Sequence, residues 1–402
     1  MAKTGVAELT ASVKAKYMAD YLLAAANKSV WSQFVDWDTI VEGQGGSSFN
    51  YVAYENMDSD DLAAKLPEKD DIEATALADA EITVTPYEYG RRVTLTSLVR
   101  FQSHVKTRQA AAKIVGQNMT DTVERAIRRG VLAGTCVFMP NNNLVRSVLA
   151  LDDTTPANDD RPSFEFLSQL VSMAQSMGIE PIGEDFVAVI HPAVEPDILG
   201  LTEIKNIGYN FPEPLYKGEV ARLCGIRFVK SRFGKLYLGG GVLSGAATTL
   251  AAAEPAGETS LNITNITDPA IIAGDWITIG TLEAADAEQV QVTSIAGGLT
   301  DVTIRGAGNK ADNFGLKWAH PLGAAIVEAT NAAAICLLGA NSVKGVHGSN
   351  TGRYGVSVVK ENIDSLNRLL SLGWKWYGGL GIVEKYVLRG EVSCKQHVFG
   401  GN

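Results

Sequence analysis

Histidine and cysteine are the side chains from which a nucleophile, a proton shuttle or a metal centre would most readily be built. The chain has five histidines, His104, His191, His320, His347 and His397, and four cysteines, Cys136, Cys224, Cys336 and Cys394. A zinc site needs ligands grouped at short, repeated spacings. The cysteines form no C-x-x-C pair and the histidines are scattered. A Cys–His nucleophile pair would need the fold to bring two distant residues together. No H-E-x-x-H, G-x-S-x-G or P-loop is present, nor a G-x-G-x-x-G between strand and helix. Gly239, Gly240 and Gly241 follow a strand pattern, but neither a helix nor Lys-Ser/Thr comes next, so they read as a turn. The run DDTTPANDDRP carries two Asp pairs without the spacing of an EF-hand loop, and reads as a solvated loop. No catalytic residue, cofactor or metal site is expected, and the chain does not read as an enzyme.

Composition narrows the classes further. The chain has 402 residues, 46% of them hydrophobic, enough for two or three domains with real cores. Lys and Arg total 35 against 45 Asp and Glu, for a net charge of −10. That balance argues against a surface that grips nucleic acid, though not against a container that encloses it. The N-terminus MAKTGVAELTASVKAKYMAD lacks the apolar core of a signal peptide, and no run reaches membrane-spanning length. A protein made in the cytoplasm, with reduced thiols and no membrane partner, is expected.

The elements are organised around His104 to Gly134, which reads as one helix about 45 Å long. Val115, Met119, Val123, Ala126, Ile127 and Leu132 lie near one face of it. Ser103 is the expected N-cap, Gly134 the stop, and Glu124 with Arg128 an exposed ion pair. Before the helix, a short amphipathic pattern (Val13, Tyr17, Tyr21, Leu22) leads to Trp31, Phe34 and Trp37. An arm docked on its own core and an arm lying on a neighbouring subunit both fit.

Next, Ser48 to Tyr54 alternates like a strand, and Glu81 to Thr85 and Arg91 to Thr96 read as strands around Pro86 and Gly90. A polar, strongly acidic stretch of roughly 25 residues separates the first two strands, far more than a hairpin needs. A long exposed ribbon and a partly disordered surface loop are the two readings. Lys65 and Lys69 in this segment fit a mixed-charge solvated tip better than an isopeptide link to an Asn on a neighbour.

After the long helix, Cys136 to Leu151 reads as strand and turn. A helix from Phe164 to Met177, capped at Ser163 and stopped at Gly178, follows. Then come an apolar strand Phe186 to Ile190, a short helix to Leu199, a loop over 200–217 and a strand Gly225 to Lys230. That order indicates an α/β unit with a central sheet. From 244 to 327 helical periodicity stops. Short strands recur at Leu261–Ile266, Asp275–Gly280, Glu288–Ile295, Val302–Arg305 and Ala324–Val327, the pattern of a small sandwich or barrel. SGAATTLAAAEPAGE reads as the linker into it. The flanking strands Lys235–Leu238 and Ala332–Leu338 look like parts of the α/β unit, so an inserted domain is expected. The chain closes with a strand Val356–Val359, a helix Ile363–Ser371, and strands Trp374–Tyr377 and Ile382–Leu388 joined by a turn. Trp374 and Trp376 share a strand face that could pack on the long helix.

The segments KLPEKDDIEATAL (65–77), ITVTPYEYGRRVTLTS (82–97), GQNMTDTVERAIRRGVLAGT (116–135), FVAVIHP (186–192) and SLGWKWYGGLGIVEKYVLR (371–389), in that order, give the chain a familiar outline. It resembles the major capsid proteins of tailed bacteriophages with the Hong Kong 97-type fold, and within them the family named after coliphage N-four.

The resemblance implies an α+β fold with an N-terminal arm (1–41), an E-loop ribbon leading into the P-domain (42–97) and a spine helix with P-domain (98–149). It further implies an A-domain in two parts (150–243 and 328–370), the inserted all-β domain (244–327), and P-domain return strands with the C-terminus (371–402). It implies self-assembly into pentamers and hexamers of an icosahedral virion head that encloses double-stranded DNA without reading its sequence. Synthesis in a host bacterial cytoplasm, a separate scaffold protein, a portal and decoration proteins are also implied.

Shell contacts would then involve Trp31 and Trp37 on the arm, and Lys65, Glu68, Lys69, Asp70 and Asp71 on the acidic ribbon. Arg91, Arg92, Arg125, Arg128 and Arg129 would be their basic counterparts on a neighbour. Two alternatives stay open at this level. One is an encapsulin-like compartment shell; the other is a carbohydrate- or surface-binding protein acting through the β insert.

Overall fold

The computed structural model describes residues 29–40, 46–54, 79–102, 107–145, 149, 159–202, 222–239, 247–264, 271, 273–281, 286–296, 301–306, 315–327, 331–348, 356–362, 368–383 and 386–397. The chain divides into two compact units. The first comprises Met1–Gly130 with Val343–Val383, the second Val131–Ser342 with Glu384–Asn402.

The first unit is built on one 14-residue strand, Leu369–Ile382, here called the hub strand. Tyr87–Thr96 pairs antiparallel with it from Thr96↔Leu369 to Tyr87↔Gly378. Val356–Asn362 pairs with its other edge, Val343–Gly348 continues that edge from Gly378 to Ile382, and Asp36–Ile40 adds a parallel strand beyond. The ribbon expected from sequence is present. Phe49–Tyr54 pairs antiparallel with Asp79–Val84, in register from Phe49↔Val84 to Tyr54↔Asp79. Its connection, with Lys65, Glu68, Lys69, Asp70 and Asp71, lies outside the described residues, as do residues 1–28 of the arm.

Three local expectations fail here, two of them because glycine was read as punctuation. No turn separates Trp374–Tyr377 from the next segment; the hub strand runs straight through Gly378, Gly379 and Gly381, and the following strand begins at Val387 in the other unit. These glycines exist for close approach. A Cβ on Gly379 would lie 2.6 Å from Thr85 O and 2.8 Å from Pro86 Cα, and one on Gly381 would lie 2.6 Å from Val84 Cγ2. The base of the ribbon therefore crosses the hub strand backbone against backbone, which only glycine permits. Gly90 likewise sits inside a continuous strand, where a Cβ would be 2.9 Å from Trp374 O. The third failure is the short helix: Leu369, Leu370 and Ser371 are strand, and 363–367 lie outside the described residues.

The long helix spans Thr107–Val131, and Ser97–Gln102 is a separate short helix before it. Ser103 and His104 are outside the described residues. Val115, Val123 and Ile127 are buried along one face, as the spacing predicts, together with Ala111, while Met119, Ala126 and Leu132 of the expected face are half-buried. The helix ends before Gly134, whose N–H reaches Val131 O at 3.4 Å.

The second unit has a central sheet ordered Val137–Phe138, Val387–Cys394, Asn331–Leu338, Phe186–Ile190 and Ile226–Lys230, with Leu236–Tyr237 also on Asn331–Leu338. Every residue of Asn331–Leu338 and Phe186–Ile190 is buried. Phe186–Ile190 and Ile226–Lys230 run parallel, with the short helix Glu195–Leu199 between them in the chain. The helix Phe164–Ser176 begins as expected: Ser163 Oγ accepts from Phe166 N at 3.1 Å. Gly178 then stops it at φ 72°. Phe166, Leu167, Leu170 and Ala174 join the core of this sheet. All four cysteines are free thiols, and burial pushes Cys394 up out of its ordinary range.

Residues 247–327 form a second, antiparallel six-stranded sheet, ordered Ser260–Asn262, Asp301–Arg305, Glu288–Ala296, Trp276–Ile279, Ala325–Val327 and Ala247–Thr249. A bridge between Leu250 and Ile263 joins the last strand to the first, so the sheet closes into a small barrel. Leu261, Ile277, Ile279, Val290, Val292, Val302 and Ile326 fill a hydrophobic core separate from that of the central sheet. Ala247–Thr249 belongs to the stretch read as a linker. Its Ala and Thr residues carry no large apolar alternation, yet they supply the closing strand.

Candidate inter-subunit surface

Among the described residues, no group of three or more His, Cys, Asp or Glu is placed to hold a metal ion. No helix of the described chain is long and apolar enough to cross a membrane. The four described histidines have local structural partners. His191 Nδ1 accepts from Ala193 N at 3.1 Å at the end of a strand. The His347 ring lies tilted against Trp37, with ring centroids 5.7 Å apart. His320 is buried against Glu288, Nε2 to Oε1 at 2.9 Å.

His397 stacks on Trp276 at 5.1 Å, and burial holds its pKa below the usual histidine value. A histidine whose folded pKa is depressed contributes stability at high pH that is lost as pH falls through its unfolded value of about 6.5. His397→Phe, which keeps a ring on Trp276, is therefore expected to flatten the pH dependence of the urea midpoint between pH 7 and 5.

The residues expected to make contacts fall into distinct environments. Trp31 is enclosed by its own unit, 1% exposed. Trp37 is half-buried and donates Nε1–H to Ser32 O at 3.0 Å. Arg91 and Arg92 are exposed on Tyr87–Thr96, opposite Trp374 and Gly373 of the hub strand. Arg125 and Arg129 are exposed on the long helix and Arg128 is half-buried. All five arginines belong to the first unit. Several large apolar side chains of that unit are also exposed: Tyr87 60%, Leu98 63% and Ile114 51%.

Glu124 corrects the expected surface ion pair with Arg128. It is fully buried, and its carboxylate accepts from Ser29 Oγ (2.5 Å) and from the backbone N–H groups of Val30 (3.0 Å), Trp31 (3.0 Å) and Ser32 (3.3 Å). The acceptor sits where the turn Trp31–Phe34 leaves its first N–H groups without partners. The long helix thus holds residues 29–32 in place. Nothing in the local sequence marks this contact, because its partners lie more than 90 residues away.

Two further contacts set the unit's geometry. Trp374 Nε1 donates to Asn118 Oδ1 at 3.1 Å, so the hub strand packs on the long helix as its tryptophan spacing predicts. Tyr89 stacks on Trp376 at 5.2 Å. At the ribbon, the Tyr51 hydroxyl is hydrogen-bonded to Asp38; burial first, then that bond and the charges of Asp38 and Asp36, push its pKa upward. The ribbon is therefore tied to its own unit at its base, while Val52 beyond is 53% exposed. A stem tied at Tyr51 and exposed at Val52 can make contacts elsewhere.

No protein-family profile matches the chain, and no curated protein is similar to it in sequence. Solved structures are similar in fold. A chain of the capsid structure of cyanophage P-SCSP1u aligns with a TM-score of 0.53 at 13% identity, covering 97% of this chain and 94% of that one. A chain of the capsid of Ralstonia phage GP4 gives 0.52 at 12% identity, over 98% and 99%. One from the cyanophage Pam1 capsid asymmetric unit gives 0.53 at 12%, over 99% and 100%. The chain has the fold of these phage capsid proteins along nearly its whole length.

Proposed function

We propose that this chain is the major capsid protein of a tailed, double-stranded DNA bacteriophage, with the Hong Kong 97-type fold, and that its copies assemble as pentamers and hexamers into the head. The observation that carries the reading is the end-to-end likeness of fold to capsid chains, over 97%, 98% and 99% of this chain. The ribbon and the long helix support it.

In this reading the unit built on the hub strand is the P-domain, carrying the arm and the E-loop ribbon. The unit built on the central sheet is the A-domain, with the barrel of 244–327 as its inserted domain. The ribbon crosses a neighbouring copy and sets its acidic segment, with Glu68, Asp70 and Asp71, against Arg91, Arg92, Arg125, Arg128 or Arg129. Trp31, enclosed by its own unit, is not among the contacts; Trp37 is. A shell needs many repeated contacts of modest strength, and their number makes it stable.

Negative-stain microscopy and light scattering of the purified protein test the reading: closed particles of megadalton mass are expected. A chain that stays monomeric under all conditions, including with its scaffold co-expressed, overturns it. Nuclease-protected DNA in particles from infected cells supports a virion head, and an enzyme cargo points to a compartment shell. The charge reversal Arg125→Glu/Arg129→Glu is expected to reduce particle yield at low salt. Unaltered particles should in turn lose stability on going from about 0.05 to 1 M salt, because exposed ion pairs are screened. Sedimentation of assembled against free protein reads both.

A further inference from the structure

The barrel carries a loop, Gly315–Gly323, held more rigidly than a surface connection requires. The carboxylate of Glu288 is fully buried and accepts three donors from this loop: Lys317 N at 2.8 Å, Trp318 N at 3.0 Å and His320 Nε2 at 2.9 Å. Backbone bonds hold both ends. Leu316 N reaches Glu258 O (2.8 Å) and Gly257 N reaches Leu316 O (2.6 Å). His320 and Glu254 exchange both bonds at 2.9 Å, and Gly323 N reaches Leu250 O (2.9 Å).

The barrel is in turn fixed to the central sheet. Gln289 of the barrel and Asn331 of the central sheet are both fully buried and form a reciprocal amide pair, with Asn331 Nδ2 to Gln289 Oε1 at 2.8 Å and Gln289 Nε2 to Asn331 Oδ1 at 2.5 Å. Placing an ionised carboxylate out of water costs free energy unless donors surround it. Here those donors belong to a loop whose outward side chains are apolar. Trp318 is 40% exposed and Leu322 66%. Lys317 Nζ lies 5.1 Å from the centre of the Trp318 ring. By contrast, Trp31, Trp374 and Trp376 are buried.

We propose that the Trp318–Leu322 loop is a contact between copies of this chain in the assembled shell, a surface separate from the ribbon and the arginines. The inference rests on the capsid reading and names a surface that reading does not require.

A rigid loop binds without an ordering cost, and an indole beside a cation has the composition of an interface anchor. Its size decides the partner. One Trp and one Leu cover far less than the roughly 1,000 Å² that a stable one-to-one complex buries. A patch that small acts only where it recurs many times in one assembly, which is what a shell of identical copies provides.

Hydroxyl-radical footprinting of purified shells against shells dissociated to folded subunits tests this without any substitution. Trp318 is expected to be modified several-fold more slowly in shells. In parallel, Trp318→Ala/Leu322→Ser shells should dissociate at a lower urea concentration than unaltered ones, while the subunits unfold at an unchanged midpoint. Shells that form with Trp318 equally reactive in both states overturn the inference and leave the capsid reading standing. An unaltered chain that forms no shells at all removes the capsid reading, and this inference with it.

Discussion

Glu124→Ala is expected to lower the unfolding free energy of the first unit by about 3–5 kcal/mol, the range for removing a buried charged acceptor from several donors. The carboxylate receives one hydroxyl and three backbone N–H groups of residues 29–32. Two of those N–H groups, of Trp31 and Ser32, are buried, so water cannot replace the lost acceptor. Glu124→Gln keeps one carbonyl oxygen in place and should lose about half as much. Urea unfolding, with hydrogen exchange at residues 30–34, separates these outcomes. Equal midpoints for Glu124→Ala and the unaltered protein would show that the carboxylate does not hold the turn. In the capsid reading the same substitution frees the arm's point of departure, and particle yield should fall with stability.

Gly379→Val should disrupt the ribbon without touching it in sequence. Its side chain would meet Thr85 O and Pro86 Cα at van der Waals overlap, and both are backbone atoms with little room to shift. A cost of about 2–4 kcal/mol is expected from overpacking at such a site. Exchange protection should be lost along Phe49–Tyr54 and Asp79–Val84 before it is lost in Val356–Asn362, which pairs with the opposite edge of the hub strand. Gly116→Ala on the long helix is the matched control: a Cβ there meets nothing within 4 Å. It should stabilise the helix by about 0.5–1 kcal/mol. If Gly379→Val leaves ribbon protection unchanged, the crossing does not depend on the glycines.

These two sites also mark where sequence reading stops. Phe186–Ile190, the helix capped at Ser163 and the strands of the ribbon were legible because their signals are local: a run of apolar residues, a capping hydroxyl, an alternation. The buried stripe of the long helix was legible for the same reason. Glu124 was not, since its spacing to Arg128 fits an exposed pair equally well and its true partners belong to a distant segment. Gly378 to Gly381 carry the usual mark of a turn, and only the chain crossing above them shows that they are strand. The barrel was anticipated as a class, but its closing strand Ala247–Thr249 lacked the large alternating residues on which strand recognition depends. Of the expected contact residues, the arginines are described and Lys65 to Asp71 are not, so the acidic half of that proposed contact rests on sequence.

The hub strand has a bearing on biosynthesis. Its partner Tyr87–Thr96 leaves the ribosome long before Leu369 does. At a translation rate of ~5–20 residues per second, that edge waits roughly 15–50 s for its mate. Until then the ribbon has no platform to lie across, because Gly379 and Gly381 have not been made. In the capsid reading, a nascent polypeptide therefore cannot yet seat the ribbon that crosses a neighbouring copy, and only molecules made through Ile382 are competent to join a lattice.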